Sequence, residues 1–212
     1  TFQEISLLIS SAFIDRELSN NQIQDIIEMC ITFDAPNHNI FDDVYCLELF
    51  HGPTFAFKDF GASFMARCME IFLENLNKEI NILVATSGDT GSAVAHGFYG
   101  VEGINVIILY PSGKVSHIQE KQLTTLDKNI YALEIQGTFD DCQKLVKQAF
   151  LDEKLKKYLS LSSANSINIA RLIPQSFYYF NAYARLNTHK NIAISVPSGN
   201  FGNITAGILA KH

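Results

Sequence analysis

Short apolar runs alternate with amphipathic ones along most of this chain, and that alternation constrains the fold more than any other feature. Residues 80–86, 105–110, 130–135, 159–163 and 192–196 read as strands of the buried type. Between them lie helical patterns: a short one ending at Gly100, one over 115–126, one from the cap candidate Thr138 to Tyr158, and one over 167–186 interrupted at Pro174. Strands alternating with helices imply parallel sheets joined by right-handed crossovers. The expected fold class is therefore α/β, with two lobes.

The first 80 residues follow a different pattern. Residues 2–13 and 20–31 read as amphipathic helices, the second with Ser19 and Gln22 as a capping box. Residues 34–43 carry Pro36 and several Asn and Asp, so a connecting loop is expected, then a short strand over 44–49. After Lys58, the residues Phe60, Phe64, Cys68 and Phe72 recur every four positions and predict a helix to about Asn75. The expected division is 1–78 as a helical segment ending in the lysine helix, 79–188 as a smaller α/β lobe, and 189–212 as the start of a further part of the larger lobe.

With 47% apolar and 18% charged residues in 212, the chain can bury a substantial core. A net charge of -6 without a basic stripe excludes general attraction to nucleic acid or an anionic membrane. Cys30, Cys46, Cys68 and Cys142 form no CxxC pair, and no two histidines have helical ligand spacing, so reduced thiols, no metal site and a cytoplasmic setting are expected. No apolar run reaches bilayer length, and Glu4 interrupts any signal-peptide pattern. The chain starts at Thr1 and stops inside an expected helix, which suggests a piece of a longer polypeptide.

Four segments carry candidate chemistry. Lys58 lies in His51-Gly-Pro-Thr-Phe-Ala-Phe-Lys-Asp-Phe-Gly61, between aromatics at a helix start. Apolar surroundings disfavour an ammonium, and a neutral amine forms an imine with an aldehyde. The turns Ser87-Gly-Asp-Thr-Gly91 and Ser198-Gly-Asn-Phe-Gly-Asn203 each join an apolar run to a helix, where glycines and unpaired N–H groups can hold an anion. Neither matches a dinucleotide or nucleotide-triphosphate loop. A plain capping turn explains either one alone. Asn165-Ser-Ile-Asn-Ile-Ala-Arg171 places amide, hydroxyl and guanidinium groups suited to a phosphate near a helix start; taken alone, a cap and a solvated face explain it better. His51 and Thr54 can touch a ligand or merely shape the turn before Lys58, and the aromatic run 177–180 reads as core.

Together and in this order, these segments resemble the threonine synthase family, its bacterial and yeast branch, within the fold-type II (tryptophan synthase β-like) enzymes that use pyridoxal 5'-phosphate (PLP). The resemblance extends over nearly the whole chain. It implies the two-lobed, three-layer parallel-sheet architecture of that fold type, with an N-terminal helical segment. It also implies conversion of O-phospho-L-homoserine and water to L-threonine and phosphate, the last step of threonine biosynthesis. Lys58 would hold PLP as a Schiff base and carry protons. Gly199, Asn200, Phe201, Gly202 and Asn203 would cradle the PLP phosphate, and Asp89, where many relatives have Asn, would contact the ring oxygen. Thr86, Ser87, Gly88, Thr90 and Gly91 would bind the substrate carboxylate, and Asn165, Ser166 and Arg171 its phosphate. The family continues past His212, so this stretch alone is expected to be inactive, and a monomer is favoured over an oligomer. A serine or threonine dehydratase-like lyase and a non-catalytic phosphometabolite-binding homologue are the alternatives; the former needs no second phosphate site.

Overall fold

Four of the apolar runs pair side by side into a parallel sheet. The computed structural model describes residues 1–74, 78–165, 168–186 and 191–211. Its strands β3 (Ile80–Ala85), β4 (Ile104–Pro111), β5 (Ile130–Ile135) and β6 (Leu161–Ser163) take the order β5-β4-β3-β6. Ile82 lies opposite Val106, and Val106 opposite Ile130. Because side chains alternate between faces, Ile82, Val84, Val106 and Ile108 point into one core while Leu83 and Leu109 enter another. Helices α3 (Lys58–Glu74), α4 (Asp89–Gly97) and α5 (His117–Thr124) cover the first face; α6 (Phe139–Leu151) covers the second through Cys142 and Val146. The three layers follow from that alternation.

Beside the sheet stands a helical core built by α1 (Phe2–Ile14), α2 (Asn20–Cys30), α8 (Ile169–Leu186) and α9 (Gly202–Lys211). Capping boxes start α1 at Thr1, α2 at Ser19 and α6 at Thr138, satisfying N–H groups that the helices leave open. Helix α3 belongs to both cores. Phe60, Phe64 and Cys68 pack among the helices, and Ala62, Met65 and Ala66 pack toward α4 and the sheet.

Several expectations need correction. Residues 34–43 are not all loop: β1 (Asn37–Phe41) pairs antiparallel with β2 (Val44–Leu47) through a tight turn in which Asp42 takes φ 43°. Its mostly exposed, polar sequence hid the strand, and Asp tolerates the left-handed turn conformation. The helix from Thr138 to Tyr158 is divided at Asp152, whose carboxylate caps α7 (Glu153–Tyr158) by accepting from Lys154 N and Leu155 N. Helix α8 runs through Pro174 unbroken; burial of Ile173, Phe177 and Tyr178 offsets a cost of about 3 kcal/mol. That burial also places α8 in the helical core rather than in the lobe of the sheet. Residues 192–195 are exposed, Val196 packs against the helical core, and among the described residues the run joins neither sheet. Asn75 and Ile167, expected helix ends, lie outside the described residues.

Two glycines let α3 meet its neighbours closely. A Cβ at Gly97 would lie 2.8 Å from the Ala62 carbonyl carbon and 2.9 Å from Ser63 N; one at Gly61 would lie 2.8 Å from the Arg171 carbonyl oxygen. These obstacles are backbone and cannot rotate away. In the full-length protein, Gly97→Ala is expected to cost about 1–3 kcal/mol of stability, read from denaturant midpoints; an unchanged midpoint would contradict this packing.

Candidate active site

The first turn of α3 opens into a cavity of about 480 Å³ lined by Phe57, Lys58, Ser87, Asp89, Thr90, Pro197, Gly199 and Asn200. The lysine segment and both glycine turns thus converge on one space, although the second turn follows Lys58 by more than a hundred positions. Lys58 is 9% exposed, and its Nζ lies 3.1 Å from Asp89 Oδ2 and 4.9 Å from the centre of the Phe57 ring. The apolar setting expected for this amine is therefore only half of its environment. Asp89 faces it as an ion-pair partner.

The turn before α3 is closed by Asp59. Thr54 N donates to Asp59 Oδ2 at 2.9 Å, and the Thr54 hydroxyl donates to Oδ1. His51 is paired with Glu48 at 2.8 Å. Neither Thr54 nor His51 lines the cavity; the first shapes the turn that presents Lys58. Burial pushes the Asp59 carboxyl above its ordinary 3.8, against the opposing pull of the Thr54 hydrogen bonds.

In the turn between β3 and α4, Thr86 and Gly91 have tasks other than ligand contact. Thr86 Oγ1 accepts from Gly88 N at 3.0 Å and Gly91 N at 2.9 Å and donates to Gly88 O at 3.0 Å, so its hydroxyl is fully used. A Cβ at Gly91 would press on that threonine side chain. Gly88, Thr86 and Gly91 hold the loop; Ser87, Asp89 and Thr90 present it. The N-cap of α4, Gly88, has no side chain to offer, and Thr86 takes only the Gly91 N–H of the first turn. The N–H groups of Asp89 and Thr90 are left for an anion beside Ser87 and Thr90.

On the opposite wall, Gly199 and Asn200 reach the cavity, and a Cβ on Gly199 would meet nothing within 4 Å. Phe201 is exposed, and Gly202 begins α9. Asn203 is turned away: its Oδ1 accepts from the hydroxyls of Tyr178 and Tyr179, each at 2.7 Å, because the helical core needs that polar group satisfied.

The fourth segment is not at the cavity. Asn165 closes a turn with Asn168 at 3.1 Å, and Ser166 lies outside the described residues. Arg171, expected near a solvated face, is 0% exposed beneath α3. Its Nη1 donates to Ala164 O at 2.6 Å, while Nε and Nη2 have no acceptor among the described residues. Burial lowers its pKa to about 10, partly countered by the Asp59 charge. The side chain faces inward because α8 packs that flank against Gly61. Sequence reasoning missed Asp59 and Gln119, whose Nε2 donates to Asp89 Oδ1. Asp59 had a local signal, an acid in the first helical turn beside the lysine; Gln119 had none.

The family model described as "Pyridoxal-phosphate dependent enzyme" matches residues 30–211. Threonine synthase from Buchnera aphidicola (Acyrthosiphon pisum) is 53% identical over 206 residues, covering 96% of this chain and 48% of that protein. The structure of threonine synthase from Escherichia coli superposes with a TM-score of 0.91 at 53% identity, over 100% of this chain and 49% of the other. PLP-bound threonine synthase from Brucella melitensis gives 0.92 at 39% identity, over 100% and 47%. The chain spans about half the length of the curated relatives it matches.

The raised Asp59 pKa gives a signed expectation. The native state holds this proton more tightly than the unfolded chain does. The stability that Asp59 contributes is thus complete below the unfolded value of 3.8 and is lost as pH rises through the higher folded value. Thermal midpoints of the full-length protein and its Asp59→Asn variant, compared from pH 4 to pH 7, should shift in favour of asparagine as pH rises. A gap independent of pH would contradict the burial argument.

Proposed function

The chain belongs to the pyridoxal-phosphate dependent enzyme family, and on that premise we propose that it is the lysine-bearing portion of a threonine synthase. The proposed reaction converts O-phospho-L-homoserine and water to L-threonine and phosphate. One observation carries the reading: Lys58, its partner Asp89 and both glycine turns surround a single cavity, in a chain 53% identical to a threonine synthase across 206 residues.

The residues present fit PLP. Lys58 offers the only amine lining the cavity among the described residues, and the open side of Gly199 lets backbone approach a phosphate there. Lys58 would hold the cofactor at its aldehyde carbon, with Gly199 and Asn200 at its phosphate and Asp89 beside the amine. When bound, PLP supplies an electron sink for charge developed on the substrate carbons. The rest falls to the chain. Ser87, Thr90 and the open start of α4 orient a carboxylate, and Phe57 and Pro197 form apolar wall that limits water. Lys58 Nζ carries protons between substrate carbons, with Asp89 Oδ2 within reach to take one.

Arg171 lies outside the cavity, but among the described residues its Nε and Nη2 find no acceptor, and an oxyanion such as a substrate phosphate would match that fork.

The full-length protein given PLP and O-phospho-L-homoserine should release phosphate and threonine in equal amounts. Lys58→Ala should lower that rate by roughly a thousandfold. Formation of 2-oxobutanoate in place of threonine would move the reading to a dehydratase-like lyase. Binding without phosphate release would leave a non-catalytic homologue.

A further inference from the structure

Asp89 has a second partner that belongs to neither glycine turn. Gln119, on α5, donates its Nε2 to Asp89 Oδ1 while Lys58 Nζ lies 3.1 Å from Oδ2. Ser116, the N-cap of α5, donates its hydroxyl to Gln119 Oε1 at 3.0 Å, and the Asp89 carboxylate, an acceptor only, requires the Nε2 end of the carboxamide to face it. Space for that carboxamide exists only because residue 88 is glycine. A Cβ there would overlap Oε1, Cδ and Nε2 of Gln119, and the φ of +148° strains any other residue. Asp89 and Lys58 are the only ionisable side chains lining the cavity among the described residues. Asp59 is committed to Thr54 and His51 to Glu48.

We propose that Gln119 is a positioning residue that locks the Asp89 carboxylate in the orientation that pairs it with Lys58. A carboxylate held by a donor at each oxygen cannot turn about its own axis. Asp89 is 48% exposed, so without Gln119 it is free to swing toward water and leave the amine unpaired. Helix α5 thereby sets the reactivity of Lys58 from outside the cavity wall, through the sequence Ser116, Gln119, Asp89. The inference rests on Lys58 being the reactive lysine, yet it concerns the amine itself and is measured without cofactor.

The experiment is trace acylation of the full-length protein by acetic anhydride at pH 7, with the rate at Lys58 read by mass spectrometry against the other lysines. Asp89→Asn should raise the Lys58 rate roughly tenfold, as loss of a paired charge implies. Gln119→Met, similar in shape but lacking the donor, should raise it roughly fivefold, about the worth of one hydrogen bond. The double variant should react no faster than Asp89→Asn alone, since Gln119 acts only through Asp89. Ser116→Ala should move the rate in the same direction and serves if Gln119→Met lowers the thermal midpoint. A wild-type rate in both variants, or an increase that persists in the Asp89→Asn background, would overturn the proposal. Failure here would leave phosphate and threonine release untouched, and failure of that reaction would leave the labelling contrast intact.

Discussion

Helix α3 is packed on both flanks, and the position of every functional group depends on that double commitment. One flank sends Phe60 and Phe64 into the helical core, where each contributes ~1.5–3 kcal/mol by burial. The other sends Ala62, Met65 and Ala66 against α4 and the sheet. Gly61 and Gly97 bring α8 and α4 to within backbone contact of it. A helix clamped in this way cannot roll or slide without opening two cores. Lys58, at its first turn, inherits that rigidity and meets the two glycine turns from a fixed point.

The electrostatics follow from the same crowding. Burial makes an isolated charge costly, so each buried ion near α3 is matched locally. Lys58 faces Asp89, and Asp89 is held in turn by Gln119. Asp59 is satisfied by Thr54. Arg171 is the exception: one donor is placed on Ala164 and, among the described residues, two find no acceptor. An oxyanion is the kind of partner that would satisfy them.

Much of this was legible in the sequence. The β3 and β4 runs announced themselves because a strand covered on both faces is nearly all apolar, and the four-residue spacing after Lys58 marked the face that meets the helical core. The lysine and the exposed halves of the two glycine turns were found because their chemistry is local. What escaped depends on tertiary contact. Thr86 and Asn203 look like ligand residues until their polar atoms are seen to be used by the protein. Arg171 looks like a surface residue until α8 is docked on α3. Gln119 reaches Asp89 across thirty positions, and the polar β1 is a strand only because β2 lies beside it.

Under the proposed function, this architecture presents Lys58 to PLP. The most direct test is reduction of the PLP-loaded full-length protein with borohydride, followed by peptide mapping. The cofactor mass should be fixed on the peptide containing Lys58 and vanish in Lys58→Ala. Cofactor fixed on another lysine, or on none, would contradict the account.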